Sequence, residues 1–123
     1  MIAGIGIDVV DILRFERSII RTPALITRLF AESERDRERP ARSLAARFAA
    51  KEALIKALGG HAVIRWHDMQ VVQDSEGNPD FLLSGGLADH VQALGIDRVH
   101  LSMSHDAGIA SAFVVLESRR DLQ

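Results

Sequence analysis

Residues 41–58 constrain the fold more than any other segment, because their pattern predicts one long helix that is apolar on nearly every side. Pro40 suits the first turn of such a helix, and Gly59-Gly60 suits its end. At about 100° per residue the larger apolar side chains form one stripe, and the alanines lie roughly opposite. The stripe comprises Leu44, Phe48, Ile55 and Leu58, and the alanines are Ala46, Ala50, Ala53 and Ala57. A helix of this kind has to be covered by other elements on most of its sides.

Three charged residues of this helix lie on or beside its apolar faces, and they do not form a polar face of their own. Lys51 falls within the large apolar stripe, Glu52 borders it, and Lys56 follows Glu52 by one turn. Glu52 and Lys56 could form a surface pair, which at this spacing contributes only about 0.3–0.5 kcal/mol, while the Lys51 stem lies along the apolar surface. The alternative is a functional cluster, in which cations, a carboxylate and a bound phosphate compensate one another on a covered helix.

The rest of the chain predicts strands and shorter helices around this helix. Strands are expected at 2–10, 69–73, 80–84, 98–104 and 109–116, and helices at 11–20, at 23–37 with a break, and at 86–94. Turns are expected at Ser75-Glu76-Gly77-Asn78 and His105-Asp106-Ala107-Gly108. Since there is no repeat and no long linker, residues 1–123 are expected to form a single domain. The layout predicts an α+β fold, with a mostly antiparallel sheet packed against the long central helix.

Composition excludes several classes of protein. The 123 residues include no cysteine, which excludes disulfides, a thiolate nucleophile and cysteine-ligated metal sites. No apolar run approaches the roughly 20 residues of a membrane span. The first residues carry an early Asp and no basic region, unlike a signal peptide. The expected compartment is therefore the cytoplasm, with no membrane partner.

The formal charge of −2 is unevenly distributed along the chain. Residues 14–56 hold eleven of the fifteen Lys and Arg residues and six of the seventeen acidic ones, a net of five positive charges, whereas the remainder has a net of seven negative charges. This segment is either a solvated helical face or the binding region of an acidic partner. Nucleic acid is not expected as that partner, because the chain has no tyrosine and lacks the interleaved aromatic pattern of a base-stacking surface.

Asp8 has an unexpected position for a carboxylate. It lies in an apolar strand, on the face shared with Gly4 and Gly6, and an unpaired buried carboxylate is unfavourable. The two glycines leave room for a close approach, which would suit a metal ion or a phosphate-bound cation. Alternatively, Asp8 ends the strand and caps the next helix, a role for which Asp11 competes.

A turn near the C-terminus also carries functional groups. In Ser102-Met103-Ser104-His105-Asp106 the His-Asp pair could bind an anion or orient a base, or serve ordinary turn chemistry. A Ser–His–Asp triad is not expected, because adjacent residues of a strand point to opposite faces. Gly59-Gly60 and Ser84-Gly85-Gly86 could turn backbone N–H groups toward a phosphate, although no GxxxxGKS or GxxxxGKT sequence is present.

Three segments together carry a family signature. The first is Gly6-Ile7-Asp8-Val9-Val10-Asp11-Ile12 followed by Arg14, and the second is Arg47-Phe48-Ala49-Ala50-Lys51-Glu52-Ala53-Leu54-Ile55-Lys56-Ala57. The third is Ser102-Met103-Ser104-His105-Asp106 with the following Ala110 and Ala112. In this order, and over residues 3 to about 117, they resemble the motifs of the bacterial holo-(acyl carrier protein) synthases, which are 4′-phosphopantetheinyl transferases.

The resemblance implies the 4′-phosphopantetheinyl transferase fold and its reaction. Such an enzyme moves 4′-phosphopantetheine from coenzyme A to a serine of apo-acyl carrier protein, with 3′,5′-ADP as the other product. The resemblance also implies Mg²⁺ as cofactor and a homotrimer whose active sites lie between subunits. Carrier proteins are acidic, which matches the basic segment 14–56.

The resemblance assigns roles by position. Asp8 and Glu52 would hold Mg²⁺ and, with Lys56, would be the catalytic residues. Glu52, directly or through a metal-bound water, would accept the proton of the serine hydroxyl. Coenzyme A would contact Lys51, Lys56, Gly59, Gly85, Ser104 and His105. The carrier protein would dock on Arg14, Arg17 and Arg21 of the first helix.

One departure from the family follows the central helix, where Gly59-Gly60-His61 stands in place of the usual Gly-Thr-Gly. The loop then has only backbone contacts to offer the nucleotide, or it adds a charge from His61. Two alternatives to the transferase are a non-catalytic coenzyme A or nucleotide-binding module, and a structural domain in which Glu52 and Lys56 form a surface pair. Asp8 and Glu52 distinguish the transferase from the binding module, because binding alone does not need two metal-binding carboxylates at the pyrophosphate.

Overall fold

The computed structural model describes residues 1–60 and 64–119. Its elements are, in chain order, β1 (Ile2–Asp11), α1 (Ile12–Arg21), α2 (Ala24–Leu29), α3 (Glu32–Arg35), α4 (Ala41–Ala57), a 3-10 turn (Trp66–Asp68), β2 (Met69–Gln73), β3 (Pro79–Leu83), α5 (Gly85–Ala93), β4 (Arg98–Asp106) and β5 (Ile109–Glu117). The predicted α+β class and the long helix are confirmed. The break expected within 23–37 separates α2 from α3.

The described strands form two antiparallel sheets. β1, β5 and β4 lie in that order in a three-stranded sheet, and β2 pairs with β3 in a hairpin. The β2–β3 and β4–β5 hairpins follow the prediction. The pairing of the first strand with the last joins the two ends of the chain, and the Met1 amine donates to the Ser118 carbonyl at 2.6 Å. This long-range pairing has no local signal in the sequence.

The turn between β4 and β5 is tighter than the predicted four residues. His105 and Asp106 continue β4, and Ala107-Gly108 alone form the turn. Both turn residues have positive φ, 51° and 78°, the combination that a two-residue type I′ turn requires. Ser104 and His105 are therefore strand residues at the end of the sheet.

Helix α4 packs directly on the inner face of the three-stranded sheet. A Cβ atom at Gly4 would overlap the Ala57 carbonyl oxygen, and one at Gly6 would overlap the Ala53 carbonyl oxygen. The space left by these glycines is therefore filled by the helix backbone, and the expectation that it serves a metal or phosphate is wrong. Both buried apolar clusters of the described residues contain side chains of α4, as its all-round apolar character predicts.

The outer face of the same sheet exposes apolar side chains. Ile5, Ile7 and Val9 of β1 are each more than half exposed, and Phe113 of β5, which lies opposite Ile7, is 44% exposed. A solvent-facing sheet surface normally alternates to polar residues, so this face departs from the usual pattern. Within residues 1–60 and 64–119, no helix is both long and apolar enough to cross a bilayer.

Candidate active site

The packing of α4 on β1 brings Asp8 and Glu52 to one cavity of about 350 Å³. We call it the carboxylate cavity, and it is lined by Asp8, Val9, Val10, Asp11, Arg14, Phe15, Ser18, Phe48 and Glu52. Phe15 of α1 stacks on Phe48 of α4 at a ring distance of 5.4 Å, which fixes α1 beside the cavity. Two residues 44 positions apart in the sequence thus share one small site, as the family resemblance implies.

Asp8 is bound to Lys56 and does not cap the following helix. Its Oδ1 accepts a hydrogen bond from Lys56 Nζ at 2.9 Å, and the same ammonium donates to the Ile7 carbonyl at 3.0 Å. The cap of α1 is Asp11, whose carboxylate accepts from the Arg14 N–H at 2.9 Å. Among the described residues, Lys56 therefore pairs across to β1 and not with Glu52 one turn back, which contradicts a plain surface pair along the helix.

Burial raises the pKa of Glu52 above its ordinary value of 4.5, and the nearby Asp8 carboxylate raises it further. The Lys56 ammonium acts in the opposite direction and lowers the pKa of Glu52. A half-buried carboxylate whose pKa is raised by a neighbouring carboxylate is well suited to accept either a cation or a proton. This arrangement is a frequent property of catalytic sites and is less common on structural surfaces.

The donor set of the carboxylate cavity fits Mg²⁺. Its two carboxylates are hard oxygen ligands, and Mg²⁺ usually takes one or two protein carboxylates while keeping waters or substrate phosphates as its other ligands. Across the described part of the chain, no group of three or more His, Cys, Asp or Glu residues could hold a metal by itself. A metal held by Asp8 and Glu52 would therefore depend on ligands from the substrate or solvent.

Lys51 lies elsewhere, contrary to its expected contact with coenzyme A. Its ammonium is fully buried and donates to Glu34 Oε1 at 2.7 Å, to the Leu29 carbonyl at 2.6 Å and to the Trp66 carbonyl at 3.3 Å. These bonds use all three of its donors, so the side chain has none left for a ligand. The alternative of a surface-lying lysine stem is also wrong, because the charged end is buried.

Ser104 and His105 line a second cavity, of about 480 Å³. We call it the arginine pocket, and it is lined by Arg37, Glu38, Arg39, Pro40, Arg42, Ser43, Ala46, Arg47, Gln73, Met103, Ser104 and His105. The sequence predicts its serine and histidine as ligand-binding residues, but it does not single out any of its four arginines for that role. The excess of basic residues over 14–56 was the signal that could have found them. Among the described residues, the two cavities have no lining residue in common.

The two glycines expected at the nucleotide have clear backbone roles. Gly59 and Gly60 have φ of 82° and 72°, and their N–H groups bond to the carbonyls of Lys56 and Ile55, which ends α4 in a Schellman motif. Gly85 has φ of 58°, and a Cβ there would lie 2.8 Å from the Asp68 carboxylate oxygens. His61, the residue that departs from the family pattern, lies outside the described residues.

Helix α1 presents the three arginines expected at a protein interface. Arg14, Arg17 and Arg21 are all exposed, and Arg14 lines the carboxylate cavity. Exposed apolar residues, Leu13 and Ile20, accompany them on the same helix. A basic surface with an apolar component therefore borders the cavity that holds Asp8 and Glu52.

Comparison with known proteins gives the decisive result. The family model described as the 4′-phosphopantetheinyl transferase superfamily matches residues 4–111. The chain belongs to this family. The family, the fold and the enzyme class inferred from the three motifs are thereby confirmed.

Relatives of known name and structure support the same family. A protein of Clavibacter michiganensis subsp. michiganensis named holo-(acyl-carrier-protein) synthase is 63% identical over 117 residues, covering 95% of this chain and 97% of that protein. A crystal structure of the Neisseria meningitidis synthase has a TM-score of 0.88 at 34% identity, covering 96% of this chain and all of that one. The Helicobacter pylori synthase in complex with coenzyme A has a TM-score of 0.79 at 32% identity and covers 92% of this chain and 99% of that one.

The raised pKa of Glu52 predicts a pH-dependent gain in stability for Glu52→Gln. Because ionisation of Glu52 is less favourable in the folded chain than in the unfolded chain, its charge destabilises the folded state above its folded pKa. The variant should be the more stable protein at pH 7, by less than about 1 kcal/mol since the site is partly solvated. The gain should decrease toward zero as the pH falls through and below 4.5, because the carboxyl then becomes protonated in both states.

Urea unfolding of both proteins at pH 7 and pH 4, with a chelator present, measures this difference. A Glu52→Gln protein that is less stable than the parent at pH 7 would show that the Glu52 carboxylate has a stabilising partner instead of an unfavourable environment.

Proposed function

We propose that this chain transfers 4′-phosphopantetheine from coenzyme A to a serine of apo-acyl carrier protein in an Mg²⁺-dependent reaction, releasing 3′,5′-ADP. The observation that supports it most is the meeting of Asp8, Glu52 and Lys56 beside one cavity in a chain of this family. The named relatives are holo-(acyl-carrier-protein) synthases, and solved neighbours carry coenzyme A. The cytoplasm stays the predicted compartment.

Asp8 and Glu52 are the residues proposed to hold Mg²⁺. When bound, the ion neutralises the pyrophosphate charge as the bond to the leaving 3′,5′-ADP breaks. Asp8 already binds one cation, the Lys56 ammonium, so its carboxylate is placed and oriented for positive charge. Glu52 would also favour a bound cation, because a positive charge near both carboxylates would relieve the repulsion by which Asp8 raises the pKa of Glu52.

In the proposed transfer, Glu52 accepts a proton and Lys56 stabilises negative charge on the leaving group. The raised pKa of Glu52 makes its carboxylate a better acceptor for the serine hydroxyl proton than an ordinary glutamate. The Lys56 side chain is 54% exposed, so its ammonium is free to leave Asp8 and contact a phosphate oxygen. In that position Lys56 stabilises the negative charge that develops on the leaving group.

The arginine pocket is proposed to hold the phosphate-bearing nucleotide end of coenzyme A. Arg37, Arg39 and Arg42 provide guanidinium groups, which match phosphate geometry, and Ser104 and His105 add hydrogen-bonding groups. One copy of the chain places this pocket and the carboxylate cavity on separate sets of residues. We therefore propose that a complete site combines the two from neighbouring copies.

The apolar outer face of the three-stranded sheet is the proposed contact between copies in a homotrimer. Ile5, Ile7, Val9 and Phe113 form a contiguous apolar surface, since β1 and β5 are adjacent strands. Such a surface on a folded protein marks an interaction site more often than a solvated face. The number three comes from the family resemblance, and the surface supports self-association.

The surface of α1 is the proposed docking site for the carrier protein. Arg14 lies both on this helix and at the carboxylate cavity, so a carrier bound to the helix has its serine close to Glu52. The arginines complement an acidic partner and steer its approach. Arg17 and Arg21 extend the same positive surface along the helix.

Intact-protein mass spectrometry of apo-carrier protein tests the transfer itself. Incubation with this protein, coenzyme A and Mg²⁺ should add one phosphopantetheine to the carrier, and chelation should prevent the addition. Glu52→Gln should lower the rate by about 10²–10⁴-fold, because a positioned base and metal ligand is lost while the fold is retained. Binding of coenzyme A without any transfer would favour the non-catalytic binding module, and an undiminished rate in the variant would remove Glu52 from the reaction.

Charge on the outer sheet face should separate the copies. Ile7→Asp or Phe113→Asp is expected to give a monomer in light scattering coupled to gel filtration, and to lose transfer activity because the composite site is divided. Leu94→Asp is the matched control, since Leu94 is 51% exposed but lies after α5. A variant with a charged sheet face that stays trimeric would show that the contact lies elsewhere, and an active monomer would show that one copy contains the whole site.

Charge reversal on α1 should selectively weaken the binding of the carrier protein. Arg14→Glu is expected to raise the KM for the carrier about tenfold or more, with a smaller change in the KM for coenzyme A, and added salt should have the same selective effect on the parent protein. Arg119→Glu, an exposed reversal beyond β5, is the control. Equal effects on both substrates would remove Arg14 from the docking surface and place its role in the cavity.

A further inference from the structure

One buried carboxylate, Glu34 of α3, lies between two buried cations of α4. Glu34 is 1% exposed, Lys51 is fully buried and Arg47 is 3% exposed. Glu34 Oε1 is 2.7 Å from Lys51 Nζ, whereas Glu34 Oε2 is 4.0 Å from the nearest Arg47 nitrogen. The carboxylate also accepts the N–H groups of Ala31 and Val71, at 3.1 and 3.2 Å, so its position is fixed by backbone on two sides.

Glu34 compensates the charge of Lys51 more fully than that of Arg47. Lys51 has the short ion pair with Glu34, and one negative charge cannot fully compensate two positive ones. Arg47 donates to the Val71 carbonyl at 2.5 Å, while its buried Nε has no hydrogen-bond partner within the described residues. Buried polar groups without partners are rare, and each calls for an explanation. The uncompensated charge belongs to Arg47, which lines the arginine pocket.

The surroundings of Arg47 disfavour its positive charge, so an anion beside it would be stabilising. Burial lowers the pKa of the Arg47 guanidinium, as do the nearby cations Arg39 and Arg37, while Glu34 and Asp36 act in the opposite direction. Asp36 lies 3.6 Å from Arg39, so part of its charge is already used there. Arg47, Arg39 and Arg37 all line the arginine pocket, so the positive charge of this network lies beside that pocket.

We propose that Lys51 is a positioning residue for the arginine pocket, because by occupying Glu34 it keeps the Arg47 charge available to a phosphate group of the nucleotide. This inference rests on the proposed function, which supplies the phosphate-bearing ligand. It gives Lys51 an effect on nucleotide affinity without any contact with the nucleotide. The effect passes through Glu34, the buried carboxylate that Lys51 and Arg47 share.

A double-mutant cycle distinguishes this role from a direct contact and from a merely structural one. Lys51→Met leaves Glu34 with Arg47 as its nearest cation, so binding of 3′,5′-ADP should weaken about tenfold, equal to about 1.4 kcal/mol. Glu34→Gln removes the negative charge, so binding should stay equal or become tighter although the buried pair is broken. The double variant should return to near the parent affinity, since the charge at the pocket is restored.

Isothermal titration calorimetry with 3′,5′-ADP measures these affinities without the carrier protein or turnover. Leu87→Ala, which removes a buried side chain of α5 away from the pocket, is the control for lost stability and should leave the dissociation constant unchanged. Circular dichroism at the assay temperature confirms that each variant is folded. If Lys51→Met does not fold, the Glu34→Gln variant and the double variant still carry the test.

Three results would overturn the inference. A double variant as weak as Lys51→Met would indicate a direct lysine contact, and weaker binding in Glu34→Gln would indicate general structural damage. No binding of 3′,5′-ADP by the parent protein would remove the phosphate site. Failure of the proposed function looks different, because the protein would then bind 3′,5′-ADP with the expected cycle and yet leave the carrier unmodified.

Discussion

The contact on which the structure depends is the backbone-to-backbone approach of α4 to β1. Gly4 and Gly6 permit it, because any side chain at either position would overlap the carbonyl of Ala57 or Ala53. The alanines of the helix permit it from the other side. This close packing fixes the height of the helix above the sheet, and thereby the distance between Asp8 on the strand and Glu52 on the helix. The glycines noticed beside Asp8 thus serve the site indirectly, by admitting the helix that carries its second carboxylate.

Consecutive charged residues of α4 then perform separate tasks because each points in a different direction. Lys51 points into the interior and binds Glu34 together with the carbonyls of Leu29 and Trp66, so it ties α2, α3 and the 3-10 turn to the helix. Glu52, one residue later, faces the carboxylate cavity. Lys56, one turn later, reaches β1. A helix covered on most sides makes such division possible, because every direction around it leads to a different neighbour.

The sequence predicts the elements well because their signals are local. Pro40 and Gly59-Gly60 delimit α4 to within one residue. Alternation predicts β1 and β4, a turn signal predicts the β2–β3 hairpin, and an apolar run predicts β5. The roles of Lys51 and Gly6 were misassigned, since both depend on which element packs against them. Neither the partner Glu34, 17 positions before Lys51, nor the Ala53 carbonyl over Gly6 has a local signal. The arginine pocket has no local signal either, because it forms where the end of β4 lies beside α4 and the residues that precede α4.

Size explains why a chain of 123 residues would divide its site between copies. A domain this small can bury only a limited core, and α4 contributes side chains to both of its described apolar clusters. One face of the three-stranded sheet is covered by α4, and the other is exposed. The carboxylate cavity and the arginine pocket are lined by different residues. In the proposed trimer, association through the exposed apolar face of the sheet would bury that face, and it would bring the charges of another copy to each carboxylate cavity.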